Sequence, residues 1–394
     1  MSKKIDDRAK GAILGALVAD AASLGLHWLY DQARIREVAP EAPEFRFPTP
    51  ADYEGVTGYY AHGNKRVGDL SHYGEQAMVL LRSLAANNSR YDKTHYEDLF
   101  REHFGYGGEY VGYIDHPTRD TLYNLTAAEH QALQRAEGIP FKGDENTKHR
   151  MITKVLSNVK QAKGDELRKK VEEAVRWTHD DDELVAYAFK IVDEMESIGG
   201  YHGANDEQMP AISKLPALIA AYTGNEALSE VVESAVRVTN NNDLAVAFGQ
   251  AAASTIEAAI QYGDTETAIE AGLAVAEPEV AHLINKALSL KDKDNQAVTQ
   301  DFGMSCNLVF GVPSVTHNLA TAGSFREAIR ENIYAGGDSC GRAILLGAVL
   351  GATHGIGGEK GIPEEWIEKL SKNAEIEDLL QKLVSDDKND LQQI

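Results

Sequence analysis

Residues 11–28, GAILGALVADAASLGLHW, and residues 336–355, GGDSCGRAILLGAVLGATHG, decide the fold. Gly11, Gly15 and Ala19 recur at every fourth position in the first, and Gly347, Gly351 and Gly355 do so in the second. Positions four apart share one face of a helix. A face of glycine and alanine lets another backbone come close. The two segments are therefore expected to be core helices packed against each other. Helical spacing continues elsewhere. Leu244, Phe248, Ala251, Ala252, Thr255 and Ala259 follow Asp243 at three- and four-residue steps, and Leu167, Val171, Ala174 and Val175 follow Asp165. Thr94 and Glu97 have capping-box spacing ahead of Tyr96, Phe100 and Phe104. Period-two alternation is almost absent, so the class is mostly α.

The chain has 394 residues, with 39 Lys and Arg against 61 Asp and Glu, a net charge of -22. So acidic a surface argues against nucleic acid and anionic membranes as partners, while leaving room for a small anionic ligand in a local pocket. The two cysteines, Cys306 and Cys340, are too few for a disulfide framework and point to a reducing compartment. Lys3 and Lys4 precede an apolar run, but Asp6, Asp7, Arg8 and Asp20 interrupt it. No stretch reads as a signal peptide or a membrane span, so the expected location is cytoplasmic.

Two regions read as irregular: residues 38–70, with DYEGVTGYYAHGNKRVGD, and the Gly- and Tyr-rich stretch Tyr106–Pro117. Neither resembles a flexible linker, so one domain over 1–394 is expected, with residues 385–394 fraying. VRWTHDDDELVAYAF from Val175 and VRVTNNNDLAVAF from Val236 echo each other as helix end, polar turn and new helix, with HDDD at 179–182 and NNND at 240–243 as caps.

Three places carry candidate chemistry. Asp20 stands in an apolar run, where a carboxylate is costly unless paired or hydrogen-bonded. Asp338 stands where the N-cap of the second glycine helix belongs, behind Gly336 and Gly337 and ahead of Ser339, Cys340 and Arg342. A helix start behind glycines suits an anion and lowers the pKa of a nearby thiol, so Cys340 is expected to be partly thiolate and more reactive than Cys306. The alternative is a capped core helix with an inert cysteine. In SHYGEQ, Ser71 is a plausible N-cap, with His72, Tyr73, Glu75 and Gln76 crowding the first turn. CxxC, HExxH, Walker, GxSxG and strand-first GxGxxG patterns are missing from the sequence.

Taken in order, GAILGALVADAASLGL, GANDEQMPAISKLPA, VRVTNNNDLAVA and GGDSCGRAILLGAVLGATHGIGGEKGIPEEW resemble the ADP-ribosylglycohydrolases over roughly Lys10 to Leu370. The resemblance implies an all-α domain of a dozen or more helices, a binuclear Mg2+ or Mn2+ centre, and hydrolysis of an ADP-ribose glycosidic bond. The family's Thr-Asp-Asp-Thr is His72, Tyr73, Gly74 and Glu75 in this chain, and Asp-Thr-Asp-Thr after Gly336 and Gly337 is Asp338, Ser339, Cys340 and Gly341. Hard cations need several oxygens. The resemblance thus leaves Asp338 to hold at most one ion, with no cofactor required and Mg2+ doubtful. SHYGEQ and G-G-D-x-C-x-R-A resemble a branch that includes J-type crystallins and selenoprotein J. The expected function is a divergent enzyme acting on an ADP-ribosyl or similar small ligand. Its candidate catalytic residues are Asp20, Glu75, Asp338 and Cys340. Its candidate binding residues are His72, Tyr73, Gly336, Gly337, Ser339 and Arg342. The alternatives are a non-catalytic, crystallin-like protein and a Cys340-based thiol or redox activity. Asp20, Glu75 and Asp338 are expected to face one cleft.

Overall fold

The glycine faces meet. In the computed structural model, helix Lys3–Ser23 lies along helix Ser339–His354 so closely that a Cβ on Gly11 would overlap the Gly351 carbonyl, and one on Gly15 would overlap the Gly347 carbonyl. The converse holds for Gly347 and Gly351. Both helices are apolar on nearly every side because other helices surround them. Helices Leu215–Tyr222 and Asp243–Tyr262 add the next layer, bringing Leu218, Ile219, Phe248, Ala252 and Ala259 into the core.

The structure describes residues 3–158, 169–173, 182–197 and 203–383. Among them there is no β-strand, only isolated bridges such as Leu29 with Gly58 and Ala204 with Asn240. The all-α expectation holds. The expectations placed on Asp165, Leu167, Ala174, Val175, His179–Asp181 and the 385–394 tail lie outside the described residues. The chain divides into two compact units: residues 1–118 with 204–394, and residues 119–203. The smaller unit has its own core, in which Met151, Ile152 and Val155 meet Tyr187, Ala188 and Ile191.

Two sequence expectations need correction. Residues Asp7–Leu26 are long and apolar enough to cross a membrane, at mean hydropathy 1.4. They are 94% buried inside the protein, as a core helix is. The helix carrying Tyr96 and Phe100 starts earlier than the capping-box reading put it, at Lys93. Its N-cap is Asp92, whose carboxylate accepts from His95 N. Other caps fall where expected: Ser71 accepts from Tyr73 N, Asn242 from Ala245 N and Asp338 from Gly341 N.

Candidate functional site

Asp20 ends the apolar stripe of the first helix and is fully buried. Its Oδ1 accepts the Ser71 hydroxyl at 2.5 Å and its Oδ2 accepts the Ser71 amide at 2.8 Å. Asp20 thereby secures the N-cap of helix His72–Ala86. Burial pushes its carboxyl up to about 6, with the Ser71 hydrogen bonds opposing. Gly74 packs directly on this carboxylate, and any side chain there would overlap Oδ2.

Asp338 is buried and caps its own helix. Its Oδ2 accepts the Tyr73 hydroxyl at 3.2 Å, and its Oδ1 lies 2.8 Å from His27 Nε2. His27 Nδ1 in turn shares a 2.7 Å hydrogen bond with His62 Nε2. With Asp338 as acceptor, a neutral His27 donates from Nε2 and accepts at Nδ1, so His62 donates from Nε2. His62 Nδ1 is then left as a buried nitrogen with no hydrogen-bond partner. Burial lowers His27 to about 4, against the pull of Asp338, and holds His62 well below its ordinary value. Trp28 stacks over this pair at a positive φ of 62°, a sparsely populated conformation for a bulky residue. Its amide bonds the Gly337 carbonyl and its carbonyl accepts from Tyr59 N. Tyr113 meets it edge-on at 4.7 Å.

Gly336 and Gly337 both take positive φ, 73° and 64°, to turn the chain into the helix. They are wedged between Leu29 and Met304, so they serve packing rather than opening a cradle. Ser339 is buried, its hydroxyl 3.4 Å from the Ser23 carbonyl. The candidate binding residue Arg342 spends its Nε and Nη2 on Asn332 Oδ1 at 2.9 Å, the Asn332 carbonyl at 3.2 Å and the Gly336 carbonyl at 2.5 Å. It binds the end of helix Phe325–Tyr334, and burial lowers its pKa to about 10.

Cys340 corrects the thiolate expectation. Its Sγ lies 3.6 Å from the Asp20 carbonyl. Burial, reinforced by the Asp20 and Asp338 carboxylates, holds the thiol well above its ordinary value. The helix end does not win, because its first-turn amide is already capped by Asp338 and Arg342 faces elsewhere. Cys306 also stays a thiol, raised first by burial and then by Asp338, but it is partly exposed and donates to Gln208 Oε1 at 3.1 Å. Alkylation of the folded protein should therefore fall on Cys306 before Cys340. Mass spectrometry after brief iodoacetamide treatment reads this directly.

Glu75 belongs to a separate network. It accepts from His103 Nε2 at 3.0 Å and Lys372 Nζ at 2.8 Å. Burial alone would raise its carboxyl, but His103 and Lys372 outweigh it and hold it near 2. Asp20, Glu75 and Asp338 each hydrogen-bond to partners of their own, while Lys65 and Tyr110 each feel both Glu75 and Asp20, and Cys340 feels both Asp20 and Asp338. Among the described residues no group of three or more His, Cys, Asp and Glu side chains is arranged to hold a metal ion.

His72 is a candidate from the sequence, whereas Asp115, Asp206 and Lys214 are not. His72 Nε2 lies 3.2 Å from Asp115 Oδ2, too far out of line for a hydrogen bond. Asp115 Oδ1 caps the helix starting at His116 through Thr118 N at 2.8 Å. Asp206 is partly exposed; its Oδ1 accepts from Gln208 N at 2.8 Å and Asn240 Nδ2 at 3.0 Å. Lys214 is fully buried, bonded to the Pro210 carbonyl and the Thr239 hydroxyl, and burial brings it down to about 7. Asp206 and Lys214 sit in GANDEQMPAISKLPA, so the segment was flagged but not its residues.

The family profile of ADP-ribosylglycohydrolase matches residues 1–392, and the chain belongs to that family. Crystallin J1A of Tripedalia cystophora is 28% identical, over 95% of this chain and 95% of its own. Crystallin J1B of the same organism is 25% identical over the same shares. A solved structure titled ADP-ribosylglycohydrolase-related protein complex covers 97% of this chain and 99% of its own, with a TM-score of 0.51 and 18% identity, a likeness of fold alone.

Proposed function

We propose that the protein is a divergent ADP-ribosylglycohydrolase that binds an ADP-ribosyl-type ligand, and cleaves its glycosidic bond, without a dimetal centre. One observation carries the reading. The carboxylate positions of the family motif are filled by groups that satisfy each other: Gly74 packs on Asp20, Cys340 backs onto the Asp20 carbonyl, and Tyr73 donates to Asp338. A Mg2+ or Mn2+ pair does not fit this donor set, because the oxygens of Asp20 are held by Ser71 and those of Asp338 by His27 and Tyr73. Titratable groups nonetheless remain, with Asp115 beside His72 and the Asp206 carboxyl raised to about 6 by burial, which favours a working site over an inert one. We place the protein in the cytoplasm, without nucleic-acid or membrane partners, on its charge and cysteine content.

The crystallin relatives favour a second reading, a protein kept for its stable fold. ADP-ribosyl conjugates incubated with EDTA-treated protein separate the two. Release of ADP-ribose that is unchanged by added Mn2+ supports the first reading. No release and no binding of ADP-ribose at millimolar concentration supports the second.

A further inference from the structure

We propose that Lys65 holds a phosphate of the ligand, at a crease where the two irregular stretches around residues 59–65 and 110–113 come together. This rests on the ADP-ribosyl reading above and gives the charge of such a ligand a residue to meet. Three contacts join the stretches. Asn64 Nδ2 donates to the Val111 carbonyl at 2.5 Å, Lys65 Nζ lies 4.4 Å over the centre of the Tyr110 ring, and the Tyr59 and Tyr113 rings meet edge-on at 5.8 Å. Gly112 packs on the lysine stem, where a Cβ would come within 3.4 Å of Lys65 Cε. Gly63 and Asn64 on one side and Val111 and Gly112 on the other are exposed, so the crease opens to solvent.

Lys65 is only 7% exposed, yet among the described residues its ammonium makes no hydrogen bond and no ion pair. Burying a cation without a counter-ion is costly. The carboxylates that act on it from a distance are Glu75, Asp69 and Asp20. Each is engaged elsewhere: Glu75 by His103 and Lys372, Asp69 by the Arg66 amide, and Asp20 by Ser71. The close partner is the Tyr110 ring, a π face that attracts a cation without neutralising it. The neighbouring His62, whose carbonyl accepts the Lys65 amide at 3.0 Å, carries a second buried group without a partner, its Nδ1. With His62 donating from Nε2 to His27, that Nδ1 is an acceptor. A ligand that satisfies both offers an anion to Lys65 and a hydroxyl to His62, as a sugar phosphate does. Phosphate oxygens suit a lysine, which binds them as a point charge.

Lys65→Met keeps an apolar stem over Tyr110 and removes the charge. Titration calorimetry compares it with wild type, using ADP-ribose and inorganic pyrophosphate as probes. We expect Lys65→Met to weaken ADP-ribose by about 10- to 100-fold, the worth of one charge-assisted hydrogen bond, and to bind it with less dependence on salt. Its urea midpoint should equal that of wild type or exceed it, because the charge removed has no counter-ion in the protein. A lower midpoint would mean that the protein itself compensates the ammonium, and overturns the assignment. Equal affinity of the two proteins for ADP-ribose also overturns it, and leaves the ADP-ribosyl reading standing. Wild type that binds pyrophosphate but not ADP-ribose, with the pyrophosphate lost in Lys65→Met, supports the assignment and overturns the ADP-ribosyl reading. A wild type that binds neither probe overturns both.

Discussion

Gly347→Leu should leave no folded protein, and Gly347→Ala should cost roughly 3 kcal/mol or more. An added Cβ would run into the Gly15 carbonyl and the Ala19 methyl. Overpacking a core usually costs about 1–3 kcal/mol because side chains shift to absorb it. Here the obstacle is backbone in a buried helix, which cannot rotate away, so the cost belongs at or above the top of that range. Domains hold only about 5–15 kcal/mol in total, and a leucine would force apart the two helices on which the others are layered. Gly138→Ala is the control. Its Cβ would meet nothing within 4 Å, and the change from glycine should be worth at most about 1 kcal/mol. Urea midpoints of the three variants test this. A Gly347→Ala midpoint equal to that of wild type would mean the helices do not touch there.

The second large effect concerns Glu75. At pH 7, Glu75→Gln should destabilise by about 3 kcal/mol. Its carboxyl is lowered from 4.5 to about 2 by partners that outweigh burial. At about 1.4 kcal/mol per pKa unit, that depression corresponds to about 3 kcal/mol. For a depressed carboxyl the stabilisation is fully present above pH 4.5, and it is lost as pH falls through 2. The gap between wild type and Glu75→Gln should therefore narrow steadily below pH 4.5. Urea unfolding at pH 7 and pH 3 measures it. A gap that is constant with pH would show that His103 and Lys372 do not hold the charge. A catalytic acid would instead leave stability alone and alter a rate profile.

How much could be read from the sequence depended on the range of the contact. The glycine helices were legible because a four-residue period is local, and the facing stripes were both visible. The Ser71 and Asp338 caps were legible for the same reason. Asp20 is legible as a carboxylate that needs partners, but its partner Ser71 is 51 residues away and no local signal points to it. Glu75 and Lys372 are 297 residues apart, and His27 and Asp338 are 311 apart. No periodic signal links such positions. His62 arrives on the irregular 38–70 segment, which was flagged as a region without a reason to prefer that residue. Cys340 was misjudged because the helix N-terminus was visible, while the two carboxylates packed around the thiol were only partly so.

The central claim is that this family fold has exchanged its dimetal centre for a self-satisfied network of Asp20, Tyr73, Gly74, His27 and Asp338. The most direct measurement is calorimetric titration of Mn2+, and then Mg2+, into chelator-treated protein. The expected result is no saturable heat below about millimolar metal, the affinity of weak oxygen-ligand sites. Two sites saturating at micromolar Mn2+ would contradict it, because Asp338 would then have to release His27 and Tyr73 to bind them.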